Sequence, residues 1–102
     1  MKTITIITER VTDQSLSAVV PPSGVTSVSV RPNRADVRDT APIEGYQSFR
    51  NPARFNPNVR IELLADDNAV DRVFDSVSFA YAAGLLSDAE MWVEEPALAL
   101  SA

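Results

Sequence analysis

Between Arg31 and Arg60 the chain has no sustained hydrophobic period, while the segments on both sides of it do. That stretch, RPNRADVRDTAPIEGYQSFRNPARFNPNVR, separates two halves that each read strand, helix, strand. This division constrains the fold more than any other feature of the sequence. An unpatterned stretch of about 25 residues is unusual inside a compact domain, where a loop that long is functional or disordered. Pro32, Pro42, Pro52 and Pro57 keep it out of a helix and out of a central strand. Gly45-Tyr46 marks a turn at its tip. We expect a mobile loop over about residues 32–57, held at both ends by a folded scaffold.

The first half opens with residues 2–9, where Ile4 and Ile6 alternate with Thr3, Thr5 and Ile7, a strand period rich in β-branched residues. Thr12 or Asp13 caps a short helix with Leu16, Val19 and Val20 on its apolar side. Pro21-Pro22 ends it, because a residue before proline avoids the helical region. Val25 to Val30 is a second strand. After the loop, Val59, Ile61 and Leu63 alternate with Arg60, Glu62 and Leu64 in a third. Asp66 and Asp67 are placed to cap the next helix and favour its dipole. Its face carries Val70, Val73, Phe74, Val77 and Tyr81 at helical spacing. Gly84 stands where a helix end wants a left-handed residue. A last strand covers about Ala89 to Glu95.

Two strand–helix–strand halves in one short chain predict an α+β fold, a ferredoxin-like βαββαβ sandwich. Its antiparallel four-stranded sheet has both helices on one face. The expected core face is Ile4, Ile6, Val28, Val30, Val59, Ile61, Leu63, Met91 and Val93. The other face carries Thr3, Thr5, Ile7, Ser27, Ser29, Arg60, Glu62, Leu64 and Trp92. A face of that mixed polarity is either washed by solvent or buried between subunits, and its Trp favours an oligomer.

The 102 residues suffice for one domain with a modest core. A hydrophobic content of 45% and a net charge of −5 exclude a disordered chain. The acidic balance argues against non-specific nucleic-acid binding. The charge is uneven, because six of the nine basic residues fall between Arg31 and Arg60, and Arg72 is the single base after Glu62. A basic loop on an acidic body attracts a small anion or an acidic partner. Solvated loop arginines are the plain alternative. There is no Cys and no His, which removes thiolate chemistry, the commonest metal ligand and the commonest general base. An enzyme is therefore not expected. Asp66, Asp67, Asp71 and Asp75 lack the spacing of a calcium loop and read as a cap and a solvated face; Glu90, Glu94 and Glu95 read as surface charge. Phe79 and Tyr81 read as core and interface packing, with no base-stacking role. No apolar run reaches the length of a membrane span, and MKTITIITER lacks the core of a signal peptide, so a cytoplasmic protein is expected.

The segments NVRIELLADDNAVDRVFDSV and AAGLLSDAEMWV resemble the third strand, second helix, following loop and fourth strand of PII-type signalling proteins. KTITIITER resembles the opening of PII-like members linked to bicarbonate transporters, and SGVTSVSV resembles the family's second strand. The resemblance covers nearly the whole chain as a single domain, residues 1–102, and marks it as a divergent PII-like member. It implies a homotrimer. It also implies that the long loop is the T-loop, which touches a membrane transporter or a metabolic enzyme. The turn after the second helix becomes the B-loop, beside a cleft that holds an adenine nucleotide.

The departures are as informative. Gly84 and Asp88 keep the B-loop pattern, but Ser87 and Ala89 replace its glycines and Glu90 replaces its phosphate-binding lysine. A carboxylate there repels a polyphosphate. WVEEPALALSA lacks the terminal-phosphate arginines, the loop lacks the residues that hold magnesium and 2-oxoglutarate, and Asn51 stands at the modified tyrosine. AMP, ADP or bicarbonate thus suits the cleft better than ATP. Ile7, Val28 and Leu64 are expected to wall an adenine, with Ser29, Gly84, Ser87 and Asp88 nearby. Arg31, Arg34 and Arg60 are expected to hold the anion, since arginine grips oxyanions bidentately. Arg38, Tyr46, Arg50 and Arg54 are expected to meet a protein partner. The competing expectation is a closed site and a trimer that signals through contacts alone.

Overall fold

A computed structural model describes residues 1–33, the backbone of 44–49, and residues 57–94. Five strands form one sheet: β1 (Lys2–Thr8), β2 (Val25–Pro32), β3 (Glu44–Phe49), β4 (Val59–Ala65) and β5 (Ala89–Glu94). The helices are α1 (Asp13–Val19) and α2 (Val70–Ala82), the latter entered through a 3₁₀ turn at Asp67–Ala69. The strand order is β2-β4-β1-β5-β3, and every neighbouring pair is antiparallel. Without β3 this is the order of a ferredoxin-like sandwich: β4 lies between β1 and β2, and β1 lies between β4 and β5.

The four expected strands form the antiparallel sheet, and β3 adds a fifth to it from within the stretch expected as an unpatterned loop. Residues 44–49 pair with β5, so Gly45 and Tyr46 lie in a strand and not at a turn tip. The register slips between Glu44 and Gln47, across Gly45. That irregularity breaks the period of two, so the segment carries no clean alternation in sequence. The free edge of β5 supplies the hydrogen-bonding partner that local pattern cannot reveal. Arg34, Arg38, Arg50, Arg54 and the segment after Glu94 lie outside the described residues.

The core forms where one sheet face meets the helices. Ile4, Ile6, Ile61, Leu63 and Met91 are fully buried with Val19, Val73, Val77 and Ala80. Thr12 caps α1 through a reciprocal pair of bonds. Ser15 N–H donates to Thr12 Oγ1 at 3.1 Å, and Thr12 N–H donates to Ser15 Oγ at 2.7 Å. The capping expected of Asp66 and Asp67 is absent: neither the 3₁₀ turn nor α2 has a side-chain cap. The backbone closes that turn itself, with Ala69 N–H donating to Asp66 C=O at 2.8 Å. Gly84 follows the α2 terminus at φ +77°, the left-handed conformation its position suggested.

Val28 and Val30 are not core. They lie on the helix side of the sheet but remain 40% and 43% exposed. β2 is the outermost strand, and the buried helix residues pack over the inner strands instead.

Candidate functional site

The antiparallel registers fix the helix-free face as three rows. Arg31, Arg60, Ile7 and Glu90 form the first; Ser29, Glu62, Thr5 and Trp92 the second; Ser27, Leu64, Thr3 and Glu94 the third. Alternation alone produces this set, because each residue is one position out of phase with the core. The face thus brings together Arg31, Arg60, Ile7, Ser29 and Leu64, five of the expected site residues. Val28 belongs to the opposite side, so it cannot wall a ligand held on this one.

A polar chain crosses the face. Arg31 Nη2 donates to Glu62 Oε1 at 3.0 Å, and Arg60 Nε donates to Glu62 Oε2 at 2.9 Å. The Arg60 guanidinium stands over Trp92, 6.0 Å from the ring centre. Trp92 Nε1 in turn donates to Glu94 Oε2. One carboxylate between two guanidiniums leaves the trio with net positive charge. Arg31 is the accessible member, with 58% of its side chain exposed against 18% for Arg60. It is therefore the guanidinium with donors free to meet a ligand oxyanion.

Two further residues on this face depart from expectation. Glu90 is only 7% exposed, which corrects its assignment to surface charge. β3 pairs alongside β5, with Ser48 opposite Glu90, so Glu90 is in the sheet interior and not at an edge. Thr5 is fully buried between Glu62 and Trp92 in its row, and its hydroxyl has no hydrogen-bond partner among the described residues.

The ends of the long loop converge at the first row. Asn33 N–H donates to Asn58 C=O at 2.9 Å, which prolongs the β2–β4 ladder, and Asn58 N–H donates to Thr8 C=O at 3.0 Å. Asn33 and Asn58 thus lie side by side at the two ends of the loop, next to Arg31 and Arg60.

Ser87 and Asp88 lie at the same end of the sheet but are engaged elsewhere. Thr8 Oγ1 is 2.7 Å from Ser87 Oγ and donates to the Asp88 carbonyl at 2.9 Å. Either hydroxyl can be the donor of that pair, and Ser87 Oγ also donates to Arg10 C=O at 3.2 Å. Tyr81 donates its hydroxyl to Asp88 Oδ1 at 3.3 Å. Desolvation pushes the Tyr81 phenol above its ordinary range, and the neighbouring Asp88 carboxylate adds to the effect. Gly84 is exposed in the preceding turn. Sequence reading set Ser87 and Asp88 of one subunit across a cleft from the arginines of the next, and missed Thr8. Its partners stand 79 and 80 positions away.

Among the described residues no cluster of three acidic, His or Cys side chains is placed to hold a metal, and no helix is long and apolar enough to cross a membrane. No protein-family model matches the chain, and no solved structure matches it.

Proposed function

We propose that the chain is a PII-like regulatory protein. In this reading it forms a homotrimer through the helix-free face and senses a small anionic effector at the cleft between subunits. It passes that state to a membrane transporter or metabolic enzyme through the basic loop. The reading rests on one observation above the others: Arg31 and Arg60 are register partners on that face, at the roots of the loop. Fold likeness alone would carry no function, since the ferredoxin-like order hosts many. The arginine pair gives the site its chemistry. AMP, ADP or bicarbonate is the class of effector favoured, because Ser87, Ala89 and Glu90 stand where a phosphate cradle has its glycines and lysine. The half-buried Ile7, Leu64 and Trp92 supply the apolar surface that a subunit contact or an adenine ring requires.

Titration calorimetry with AMP, ADP, ATP, cyclic AMP and bicarbonate tests the sensing role. AMP, ADP or bicarbonate should release heat, and Arg31→Ala should abolish it. No heat from any of the five would sink the sensing function.

A second reading is favoured by the turn before β5. Ser87 Oγ and the Asp88 carbonyl are both taken by Thr8, so this turn is closed by its own bonds and offers no open phosphate cradle. The trimer then acts as an interaction module without a small ligand. That reading expects a protein partner lost in Arg34→Glu/Arg38→Glu and indifferent to nucleotides.

A further inference from the structure

β2 is an edge strand with its outer side unpaired among the described residues. Two bonds show which of its residues point outward. Asn33 N–H reaches Asn58 C=O, and Asp66 N–H reaches Gly24 C=O, so even-numbered residues of β4 turn their backbone groups toward β2. Their register partners Ser27, Ser29 and Arg31 therefore face inward. Val28 and Val30 present their N–H and C=O groups to the outside.

The same two residues hold the exposed apolar side chains of the edge. Natural edge strands are guarded by lysine, proline or inward charge. From Val25 to Val30 this strand has none of them; its one register irregularity lies at Val25–Ser27, before the two valines, and Pro32 arrives only at its end. An edge of this kind is a template for another strand.

We propose that the occupant is β2 of a second copy, paired antiparallel about a two-fold axis through Ser29. In that register Val28 faces Val30 of the second copy and Val30 faces its Val28. Each pair can exchange both backbone hydrogen bonds. The four valines meet on the helix side of one continuous sheet. Arg31, the only charge of the strand, lies opposite Ser27 of the second copy, so no like charges meet. Pro32 has no N–H and stops the ladder just past the valines. A shift of one residue would place valines against serines on opposite faces. The strand is thus self-complementary in charge, polarity and hydrogen bonding, which singles out a second copy over an unrelated strand.

The natural chain has no cysteine, so a single introduced thiol gives an unambiguous report. Ser29 would oppose itself as a non-hydrogen-bonded pair, with Cα atoms about 4.5 Å apart. That lies within the range of about 4.4–6.8 Å for a disulfide. Mild oxidation of Ser29→Cys should link most chains in pairs, and Ser27→Cys, which opposes Arg31, should link few. Val30→Pro removes an outward N–H and should halve the mass measured by sedimentation while the circular dichroism spectrum stays the same. The halving is independent of the trimer reading: six chains become three if that reading holds, and two become one if it fails. Equal cross-linking of both cysteine variants, or a mass unchanged by Val30→Pro in a folded protein, overturns the pairing. If Val30→Pro unfolds the chain, Val28→Lys gives the same readout through charge at the edge, and an unchanged mass there also overturns it.

Discussion

Arg60 holds its guanidinium over the Trp92 ring while its Nε donates to Glu62, and so joins β4 to β5 across the intervening β1. Arg31 reaches the same carboxylate from β2, but largely in solvent. Exposed ion pairs contribute about 0–1 kcal/mol, whereas a partly desolvated charge bond adds about 1.5–3 and a cation–π contact about 0.5–1. Arg60→Ala should therefore destabilise the fold by about 1–3 kcal/mol, and Arg31→Ala by under about 1. Urea unfolding followed by Trp92 fluorescence measures both. Equal losses would mean that the Trp92 contact contributes nothing.

Leu63 and Leu64 are neighbours in sequence on opposite faces of β4. Leu63 is fully buried against the helices, and Leu64 is half-buried on the open face. Leu63→Ala should cost about 2–5 kcal/mol through lost burial and the cavity left behind. Leu64→Ser should cost less in folding but weaken self-association if the open face is a subunit contact. Denaturant titration and sedimentation of the two variants separate these effects.

Thr5 is fully buried, and its hydroxyl has no partner among the described residues. A buried polar group without a bond costs about 1–3 kcal/mol. Thr5→Val keeps the shape and removes that cost, so it should raise stability by about 1 kcal/mol or more. A lower denaturation midpoint for this variant would mean that the hydroxyl has a bonding role.

The two left-handed glycines should respond differently to alanine. A Cβ on Gly24, at φ +94°, would lie 2.5 Å from Ala69 Cβ and 2.9 Å from Arg72 Nη2. A Cβ on Gly84, at φ +77°, would meet nothing within 4 Å. Gly84→Ala bears the left-handed penalty alone, about 1–2 kcal/mol. Gly24→Ala bears that and a steric clash, and should lose more than about 2 kcal/mol. Thermal or urea melts should rank them in that order.

Tyr81 titrates above the ordinary phenol range, first from desolvation and then from Asp88. A raised folded-state value means that its contribution to stability is complete below the unfolded phenol range. It is lost as pH rises through the folded value. In a Tyr46→Phe background, absorbance titration should show Tyr81 ionising late. Asp88→Asn should move it part of the way back, because the desolvation remains. No movement would remove Asp88 as a cause.

Much of the scaffold was legible because it is written in local periods. The alternation around Ile4, Ile61 and Met91 determined three inner strands and the face each one buries. The helical spacing of Val73 and Val77, with Gly84 after it, determined α2 and its end. The inner strands also determined most of the open face, since Arg60, Glu62, Leu64 and Trp92 follow from being out of phase with the core. Val28 and Val30 show the limit of that reasoning. Their alternation is that of a core strand, but alternation specifies a side of a sheet and not a position within it. Only the strand order places β2 at the edge, where no helix covers it. The same holds for residues 44–49 and for Glu90. A strand without clean alternation is stabilised by the neighbour whose edge it completes, and its partners in that neighbour, β5, lie 40 to 49 positions further along the chain. The sequence by itself determined the elements and their faces, because those depend on residues a few positions apart. Tertiary structure decided which strands are edges, how Glu62 comes to be shared by two arginines, and why Thr8 closes the turn at Ser87. Each of those depends on pairings across the sheet that no local pattern encodes.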